Sequence, residues 1–265
     1  MKYSKKNFFL KNKIAFLIIV RMGSKRLNNK AKLKINNYSL TEILLKRLLR
    51  KFPKEQIFIC TSADESGLYL KRISAKYKIN FFAGSNKNVF KRIIDLRKEN
   101  DFNHFVRITG DNPFTDPQAI NKMIKAHLKK EIEFTYTNSL PVGTKAEIIS
   151  FKALKKANNL AVDKNSSEYM TYFFKRGLFK RYNIKFKKIF NFQDDLHITI
   201  DTKNDLLLAR KLLKNQSIYI NNYKLIKLMN LKKELYLKKK VPIPKIKTNQ
   251  YNVKFKKNIY NKIII

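Results

Sequence analysis

The sequence has few of the residues that build disulfide scaffolds, zinc sites or flexible linkers. Its 265 residues include one cysteine, three histidines, six glycines, six prolines and no tryptophan. A single cysteine excludes an intrachain disulfide and makes a reducing compartment the default expectation. That residue, Cys60, ends an apolar run from Ile57, where a buried and inert thiol is expected. His104, His127 and His197 lack the spacing of a zinc site, and no Ser-His-Asp order indicates a hydrolase.

Acidic side chains are scarce. Asp and Glu number 19 against 59 Lys and Arg, which gives a formal charge of +40. Such an excess is typical of proteins that bind nucleic acid or anionic membranes. Here, however, it is mostly lysine, spread along the chain together with abundant Asn and Ile, which is the residue set of AT-rich codons. No arginine cluster or nucleic-acid motif accompanies it, so we expect no specific nucleic-acid partner.

Long apolar stretches are also missing. No run reaches the roughly 18 residues of a transmembrane helix, so no integral membrane segment is expected. Lysines precede the apolar run 14–20 in the manner of a signal peptide, but no small-residue cleavage site follows it. We therefore expect a cytoplasmic protein. A hydrophobic content of 44% is enough to form a core and excludes wholesale disorder.

Hydrophobic periodicity predicts strands that alternate with helices, and hence a mainly parallel sheet covered on both faces. The predicted strands are 14–20, 57–61, 80–83, 105–109, 133–137, 146–150 and 197–200. The predicted helices are 40–51, 65–76, one capped by Ser85, one from Asp116 to about 128, 151–161, 166–175, 202–213 and 221–239. We divide the chain into a basic and poorly ordered extension (1–13), a main α/β domain (14–220), and a C-terminal helix with a loose tail (221–265).

Candidate ligand-binding residues fall where predicted strands end. The first strand runs into a glycine turn at Gly23, and cationic residues surround that turn. Thr61-Ser62, Asp111 and Asp201 follow three other strands. In open α/β sheets, ligands bind outside the carboxyl ends of the strands. This convergence predicts one site, although a solvated basic loop remains the plain alternative for the turn.

Asp111 and Asp201 are candidate magnesium ligands. Carboxylates are hard ligands, and two of them at neighbouring strand ends could share one Mg²⁺ whose octahedron substrate phosphates complete. The structural alternatives are a turn aspartate before Pro113 for Asp111 and a helix-terminal charge beside Thr202 for Asp201. Both alternatives stay open on the residues alone.

Several motifs resemble those of one enzyme family. The loop R-M-G-S-K-R-L-N-N-K from Arg21 resembles the R-M-G-S-x-R-L-P-G-K signature of the spore-coat-polysaccharide-type cytidylyltransferases, which are related to the 3-deoxy-manno-octulosonate and acylneuraminate enzymes. The T-S of I-F-I-C-T-S, then V-R-I-T-G-D-N-P and I-D-T-K-N-D-L, match in order, so that the resemblance runs from about 14 to about 213. It implies a three-layer, mixed but mainly parallel sheet of the Rossmann-like nucleotide-diphospho-sugar transferase fold.

The resemblance also implies roles for individual residues. Those implied to bind nucleotide are Arg21, Met22, Gly23, Ser24, Arg26, Lys30, Thr61, Ser62, Arg107, Thr109 and Gly110. Those implied on the sugar side are Glu147, Glu168 and Arg92, while Asp111 and Asp201 would bind the metal and act in catalysis with Arg21 and Lys30. A surface salt bridge is the plain alternative for Arg92. The chain departs from the family pattern at Asn28-Asn29, Lys145 and Tyr169; Asn tolerates left-handed backbone, so the turn at 28–29 is expected to survive.

These inferences predict a Mg²⁺-dependent nucleotidyltransferase. It would join CTP to a small acidic or amino sugar, releasing pyrophosphate and a CMP-sugar for surface polysaccharide or glycan biosynthesis. One alternative is a glycosyltransferase on a similar nucleotide-sugar-binding sheet, although such enzymes usually carry Asp-x-Asp where this chain has Gly110-Asp111-Asn112-Pro113. The other is a non-catalytic, basic nucleic-acid or membrane-surface binding protein. A homodimer is left open.

Overall fold

The computed structural model describes residues 2–23, 26–64, 67–161, 170–174, 177–186 and 196–231. Its strands are β1 Ile14–Ile19, β2 Lys34–Ile35, β3 Tyr38–Ser39, β4 Ile57–Ser62, β5 Asn80–Gly84, β6 His104–Thr109, β7 Phe134–Tyr136, β8 Glu147–Ser150 and β9 Arg181–Asn183. Its α-helices are α1 Lys2–Lys11, α2 Leu40–Leu49, α3 Leu68–Tyr77, α4 Val89–Glu99, α5 Pro117–Lys129, α6 Phe151–Leu160, α7 Lys203–Leu213 and α8 Asn222–Leu231. Short 3-10 turns span Lys30–Lys32 and Lys54–Gln56.

Seven strands form one mixed sheet in the order β5-β4-β1-β6-β8-β7-β9, and β2 pairs with β3 separately. Strands β5, β4, β1 and β6 are parallel, whereas β8 is antiparallel to both of its neighbours. Strand β9 is parallel to β7. Strand β8 is therefore reversed relative to the rest of the sheet, which confirms the predicted mixed, mainly parallel architecture.

The sheet is buried on both faces. In β1, Phe16 and Ile18 belong to the cluster that contains α2, α3 and α5, while Ala15 and Leu17 belong to the cluster that contains α4 and α6. Successive side chains of a strand point to opposite faces, so a continuous apolar run is what a strand between two helical layers requires. This arrangement is the predicted three-layer sandwich.

Capping residues account for several helix starts. Ser39 and Glu42 form a capping box at α2, Thr202 and Asp205 form another at α7, and Asp116 caps α5 ahead of Pro117. These side chains satisfy backbone N–H groups that have no partner within the helix. All three starts are as predicted.

A third apolar cluster lies beside the sheet, where Ile198, Ile200, Phe114, α7 and α8 pack against residues that include Leu27 and Leu40. The buried Arg47 joins this cluster to the main domain. Its guanidinium donates to the carbonyl oxygens of Ile218 and Ile220, each at 2.8 Å, and to those of Thr115 and Phe114 at 3.3 and 3.4 Å.

Three predictions of local structure were wrong. The 1–13 segment is not poorly ordered, because residues 2–11 form α1, whose Phe9 is buried against Phe16 and Phe52. The stretch 197–200 forms no strand but an extended segment with a single bridge, Val142 to His197. Asn88, rather than Ser85, caps α4.

Other elements were missed or only partly tested. Strand β9 and the β2–β3 pair were not predicted. Half of the predicted helix 166–175 lies outside the described residues, and its described part, 170–174, is not α-helical. The predicted helix 221–239 lies outside the described residues beyond Leu231. No helix within the described ranges is long and apolar enough to cross a bilayer.

Candidate functional site

One edge of the sheet collects the predicted site residues. Strands β1, β4, β5 and β6 are parallel, so their carboxyl ends, and the residues Arg21, Ser62, Gly84 and Asp111 at or just beyond them, lie along that edge. The antiparallel β8 brings its first residue, Glu147, to the same edge. This is the edge where ligands bind in such sheets.

The loop after β1 is anchored by two apolar side chains and open elsewhere. Met22 and Leu27 are 3% and 6% exposed, so the loop is pinned at both ends of its turn. A Cβ added at Gly23 would meet no atom within 4 Å, which leaves the loop accessible there. Asn29 adopts left-handed backbone (φ 51°, ψ 28°) immediately before the 3-10 turn at Lys30. The prediction that the turn survives with Asn in place of Gly is confirmed. Ser24 lies outside the described residues.

Lys30 connects the two candidate metal ligands. Its Nζ donates to Asp111 Oδ2 at 3.0 Å and to Asp201 Oδ1 at 3.1 Å. The largely exposed Arg26 also donates to Asp201 Oδ1, at 3.0 Å. Two cations and two carboxylates, which come from three distant parts of the chain, thus meet in one cluster. The side chains of Lys30, Asp111 and Asp201 are 15%, 25% and 17% exposed, so the cluster is accessible but partly desolvated.

Backbone hydrogen bonds hold Asp201 beside Asp111. The N–H of Ile200 donates to the carbonyl of Asp111 at 3.0 Å, and the N–H of Ile198 donates to the carbonyl of Val142 at 2.9 Å. Gly143, with φ +100°, makes this approach possible, because a Cβ there would lie 2.5 Å from the nitrogen of Thr199. An extended segment, rather than a sheet strand, therefore carries the second carboxylate to the site.

The environment of Asp111 favours its ionised form. Burial by itself raises the pKa of this carboxyl, but the Lys30 ammonium and the Thr109 hydroxyl outweigh it and hold the pKa below its usual range. Asn112 Nδ2 in turn donates to Thr109 Oγ1 at 2.8 Å. Asp111 is consequently a carboxylate at neutral pH, as a metal ligand must be.

Gly110 lies where the ends of β6 and β1 meet. A Cβ at Gly110 would lie 2.7 Å from both Cβ and Cγ2 of Val20, the residue directly after β1. The N–H of Gly110 donates to the Ile19 carbonyl at 2.9 Å. The glycine permits the ends of β1 and β6 to approach closely.

Arg107 and Glu147 form an ion pair across β6 and β8. Arg107 NH1 donates to Glu147 Oε2 at 2.7 Å, and the two residues are directly opposite each other in the sheet register. Their side chains are 11% and 15% exposed. The Thr171 hydroxyl donates to the other carboxylate oxygen of Glu147. Glu168, the second predicted acidic residue on the sugar side, lies outside the described residues.

The remaining predicted residues lie at the end of β4 and on α4. Thr61 and Ser62 are buried; Ser62 Oγ donates to Asp64 Oδ2 at 2.6 Å, and Thr61 Oγ1 has no hydrogen-bond partner in the described structure. Arg92 is 3% exposed, so the surface salt bridge considered for it is wrong. Its guanidinium donates to the Ser85 carbonyl at 2.7 and 3.1 Å. Burial lowers the pKa of Arg92, and the positive charge of Arg21 lowers it further.

The donor set suits a hard divalent cation only in part. Two carboxylates, Asp111 and Asp201, face one point, and oxygen ligands of this kind are those that Mg²⁺ prefers. No group of three or more His, Cys, Asp or Glu side chains that could hold a metal occurs among the residues described. The residues thus fit a magnesium ion that also takes ligands from substrate or water, and not one enclosed by protein alone.

Sequence reasoning missed three contributors. Thr171 belongs to no motif, and Asn112 was considered only as part of the Gly-Asp-Asn-Pro turn. Gly143 stands in a Pro-Val-Gly-Thr stretch that is recognisable as a turn. Of the three, only Gly143 could have been noticed in the sequence, as part of a turn. The turn pattern does not indicate that Thr199 is its neighbour in the fold.

Comparison with known proteins gives a consistent result. The family model described as cytidylyltransferase matches residues 15–261. An uncharacterized protein of Methanocaldococcus jannaschii is 32% identical over 205 residues, which cover 77% of this chain and 84% of the relative. The spore coat polysaccharide biosynthesis protein SpsF of Bacillus subtilis is 28% identical over 201 residues, covering 73% of this chain and 83% of that protein.

Solved structures agree on the fold. A cytidylyltransferase from Leptospira borgpetersenii superposes with a TM-score of 0.76 at 24% identity, over 86% of this chain and 98% of that one. A CMP:2-keto-3-deoxy-manno-octonic acid synthetase, solved in complex with CTP, superposes with a TM-score of 0.58 at 12% identity, over 76% of this chain and 98% of that one. At these identities the likeness establishes the Rossmann-like nucleotidyltransferase fold.

Proposed function

The chain belongs to the cytidylyltransferase family, and we propose that it transfers CMP from CTP to a hydroxyl of a small acidic or amino sugar. The products are a CMP-sugar and pyrophosphate. The similarity to the Bacillus subtilis spore coat polysaccharide protein supports a role in surface polysaccharide or glycan biosynthesis, and the single cysteine supports a cytoplasmic setting.

The observation that carries the proposal is the cluster of Lys30, Arg26, Asp111 and Asp201 at the carboxyl edge of the parallel strands. Nucleotidyl transfer requires cationic groups that bind the phosphates and carboxylates that bind a metal. This cluster supplies both, with the cationic side chains hydrogen-bonded to the carboxylates. A basic surface loop would not bring two carboxylates to the same ammonium.

In the proposed reaction the sugar hydroxyl attacks the α-phosphorus of CTP in line, and the bond from that phosphorus to the bridging oxygen of the β-phosphate breaks. Pyrophosphate leaves, and the hydroxyl proton is released to solvent. Arg21, Arg26 and Lys30 would bind the triphosphate and stabilise the charge that develops on the leaving group. The accessible backbone at Gly23 would let phosphate oxygens approach the loop closely.

Asp111 and Asp201 would hold Mg²⁺, which when bound neutralises phosphate charge and orients the phosphate oxygens. Asp111 is already ionised at neutral pH because its pKa is held low. The backbone hydrogen bond from Ile200 to Asp111 keeps the second carboxylate, that of Asp201, in place before any ligand binds. The chain therefore presents both carboxylates preorganised.

The Arg107–Glu147 pair is the proposed boundary of the sugar side. Arg107 lies on β6, the strand that leads to Asp111, and Glu147 lies opposite it on the neighbouring β8, so that each neutralises the other. Thr171 orients the second oxygen of Glu147. Acceptor hydroxyls could exchange for these hydrogen bonds, so Glu147 would orient the sugar, while Arg107 would lie between the nucleotide and the sugar.

The test is pyrophosphate release from a panel of nucleoside triphosphates and sugars, with and without Mg²⁺. We expect turnover with CTP, an acidic or amino sugar acceptor and the metal, and none when any of the three is omitted. Release of a free nucleotide from a nucleotide-sugar, without use of CTP, would instead indicate the glycosyltransferase alternative. Failure with every nucleotide, together with tight binding to nucleic acid, would favour the non-catalytic alternative.

The cationic loop after β1 can be tested separately. Charge-assisted hydrogen bonds contribute roughly 1.5–3 kcal/mol each, so Arg26→Ala and Lys30→Ala should each lower kcat/KM for CTP by about 10- to 100-fold. Lys25 occupies the variable position of the loop signature, so Lys25→Ala is the matched control and should cost little. Equal losses at Lys25, Arg26 and Lys30 would mean general electrostatic attraction rather than a shaped site.

A further inference from the structure

The ammonium of Lys30 stands where a cation shared by Asp111 and Asp201 would stand. It donates to one oxygen of each carboxylate, at 3.0 and 3.1 Å. Those two oxygens are therefore no more than about 6 Å apart, and Mg²⁺ binds oxygens at roughly 2.0–2.1 Å. A metal ion that binds both oxygens must therefore compete with the Lys30 ammonium for the same two acceptors.

The lysine is tethered but able to leave. Its backbone lies at the start of a 3-10 turn whose next residue, Ala31, is fully buried and accepts a hydrogen bond from the Thr41 hydroxyl at 3.2 Å. The backbone is thus fixed, whereas the side chain has four rotatable bonds and is 15% exposed. Lys30 can exchange the carboxylates for another anion without rearrangement of the loop.

The small number of protein ligands at the site is an independent reason why Lys30 should leave the carboxylates only when a nucleotide is bound. The described residues offer the metal two carboxylates and no third His, Cys, Asp or Glu ligand beside them. A hard octahedral ion must therefore draw ligands from phosphate oxygens or water. The triphosphate that would supply those oxygens is also the anion that can receive the displaced ammonium.

We propose that Lys30 acts as the counter-ion of the Asp111–Asp201 pair in the nucleotide-free protein and is displaced by the divalent metal, so that metal and nucleotide bind cooperatively. The proposal rests on the metal role given to these carboxylates under the proposed function. Without nucleotide, the ammonium competes with the metal and keeps metal affinity low. With nucleotide, Lys30 moves to the phosphates and the carboxylates become available. Linkage makes the effect reciprocal: bound metal raises nucleotide affinity by the same factor.

The proposal is tested by metal binding alone. Mn²⁺ titration of the nucleotide-free protein, followed by electron paramagnetic resonance of the free ion, measures affinity without turnover. Lys30→Met should bind Mn²⁺ roughly 5- to 150-fold more tightly than the wild type, the usual range of coupling between sites. Lys30→Gln carries the same expectation if the methionine variant folds poorly. Lys30→Arg keeps the charge and should show no gain.

Two controls test whether the increase in Mn²⁺ affinity comes from removing Lys30 from the two carboxylates. Lys32→Met makes the same change in residue and net charge at a lysine that lies over the Tyr69 ring, 5.3 Å from its centroid, and should leave Mn²⁺ affinity within about twofold. Adding Asp111→Asn to Lys30→Met should abolish the gain. Equal affinity of the Lys30 and Lys32 variants, or a gain that survives Asp111→Asn, would overturn the proposal.

These results are separable from the proposed function. A wild-type protein that turns over CTP, with no Mn²⁺ gain in the Lys30 variants, would remove the counter-ion role and leave the function standing. A clear gain in a protein that uses no nucleotide would do the reverse.

Discussion

Gly110 and Val20 approach so closely that no side chain fits between them: a Cβ at Gly110 would lie 2.7 Å from Cβ of Val20. The contact joins the residue directly after β6 to the residue directly after β1, and these two strands lead to Asp111 and to the cationic loop. The spacing between the carboxylate and the loop therefore depends on the contact between Gly110 and Val20.

Gly110→Ala should destabilise the protein by about 1–3 kcal/mol, because overpacking there forces the two strand ends apart. Gly23→Ala is the matched control for the fold, since a Cβ at Gly23 meets nothing within 4 Å. Thermal melting should fall for Gly110→Ala and stay unchanged for Gly23→Ala, whereas CTP turnover should fall for both. Full turnover by Gly23→Ala at low CTP would show that the open side of the loop does not receive the triphosphate.

Asp111→Asn and Asp201→Asn should each lower metal-dependent turnover by roughly 100-fold or more, since loss of a metal carboxylate removes several kcal/mol of transition-state stabilisation. Both variants keep the backbone hydrogen bond from Ile200 to Asp111, so their melting temperatures should stay close to that of the wild type. Steady-state pyrophosphate release and calorimetry together make the check. A variant that melts normally and retains near-normal turnover removes its residue from the metal site.

Arg47→Met should cost about 3 kcal/mol or more of folding free energy. The change leaves buried carbonyls of the 114–115 and 218–220 segments without their donor, and burial has already lowered the pKa of Arg47 to about 10. Arg47→Lys retains the charge but not the planar fork, so it should recover only part of the loss. Denaturant unfolding measures both variants, and full recovery by lysine would mean that charge alone matters.

The stability of α2 should depend on pH through Glu42. Burial raises the pKa of Glu42, but hydrogen bonds from Lys76, Ser39 and Tyr77 outweigh it and lower the pKa to about 2, from 4.5. A depressed pKa stabilises the folded state fully above pH 4.5, and this contribution is lost as the pH falls towards 2. Glu42→Gln should therefore be less stable than the wild type by about 2 kcal/mol at pH 7, given that Lys76 is exposed, and the difference should shrink below pH 4.5. A difference that is constant from pH 7 to pH 3 would contradict this account.

The charge of +40 should produce only weak binding to duplex DNA, without sequence preference and nearly gone at physiological salt. Fluorescence anisotropy across a salt series measures it. Tight and sequence-selective binding at that salt would contradict the expectation that the excess lysine reflects composition.

Pattern reasoning recovered the parts of the fold that local chemistry specifies. The capping residues Ser39, Asp116 and Thr202 and the doubly buried β1 could be predicted, because each needs only near neighbours in the chain. The extended segment that ends at Asp201 was taken for a strand, because its alternation is that of one. Its partners, Val142 and Asp111, are distant in sequence and accept one hydrogen bond each rather than forming a ladder.

The sequence indicated that Asp111 follows a strand and that cationic residues follow β1. It did not indicate that the Lys30 ammonium bridges Asp111 and Asp201, since side-chain geometry between distant segments has no sequence signature. Lysine-rich composition also obscured α1, where Phe9 supplies the apolar contact that orders the helix.

The bridge from Lys30 to Asp201 spans 171 positions of the chain. At a synthesis rate of about 5–20 residues per second, roughly 10–30 s separate the emergence of the cationic loop from that of the second carboxylate. The segment that carries Asp201 is packed by α7 and α8, so it is held only after those helices have been made. A chain that lacks α7 and α8 can therefore hold Lys30 against Asp111 alone, and the proposed site is completed only once those two helices have been made.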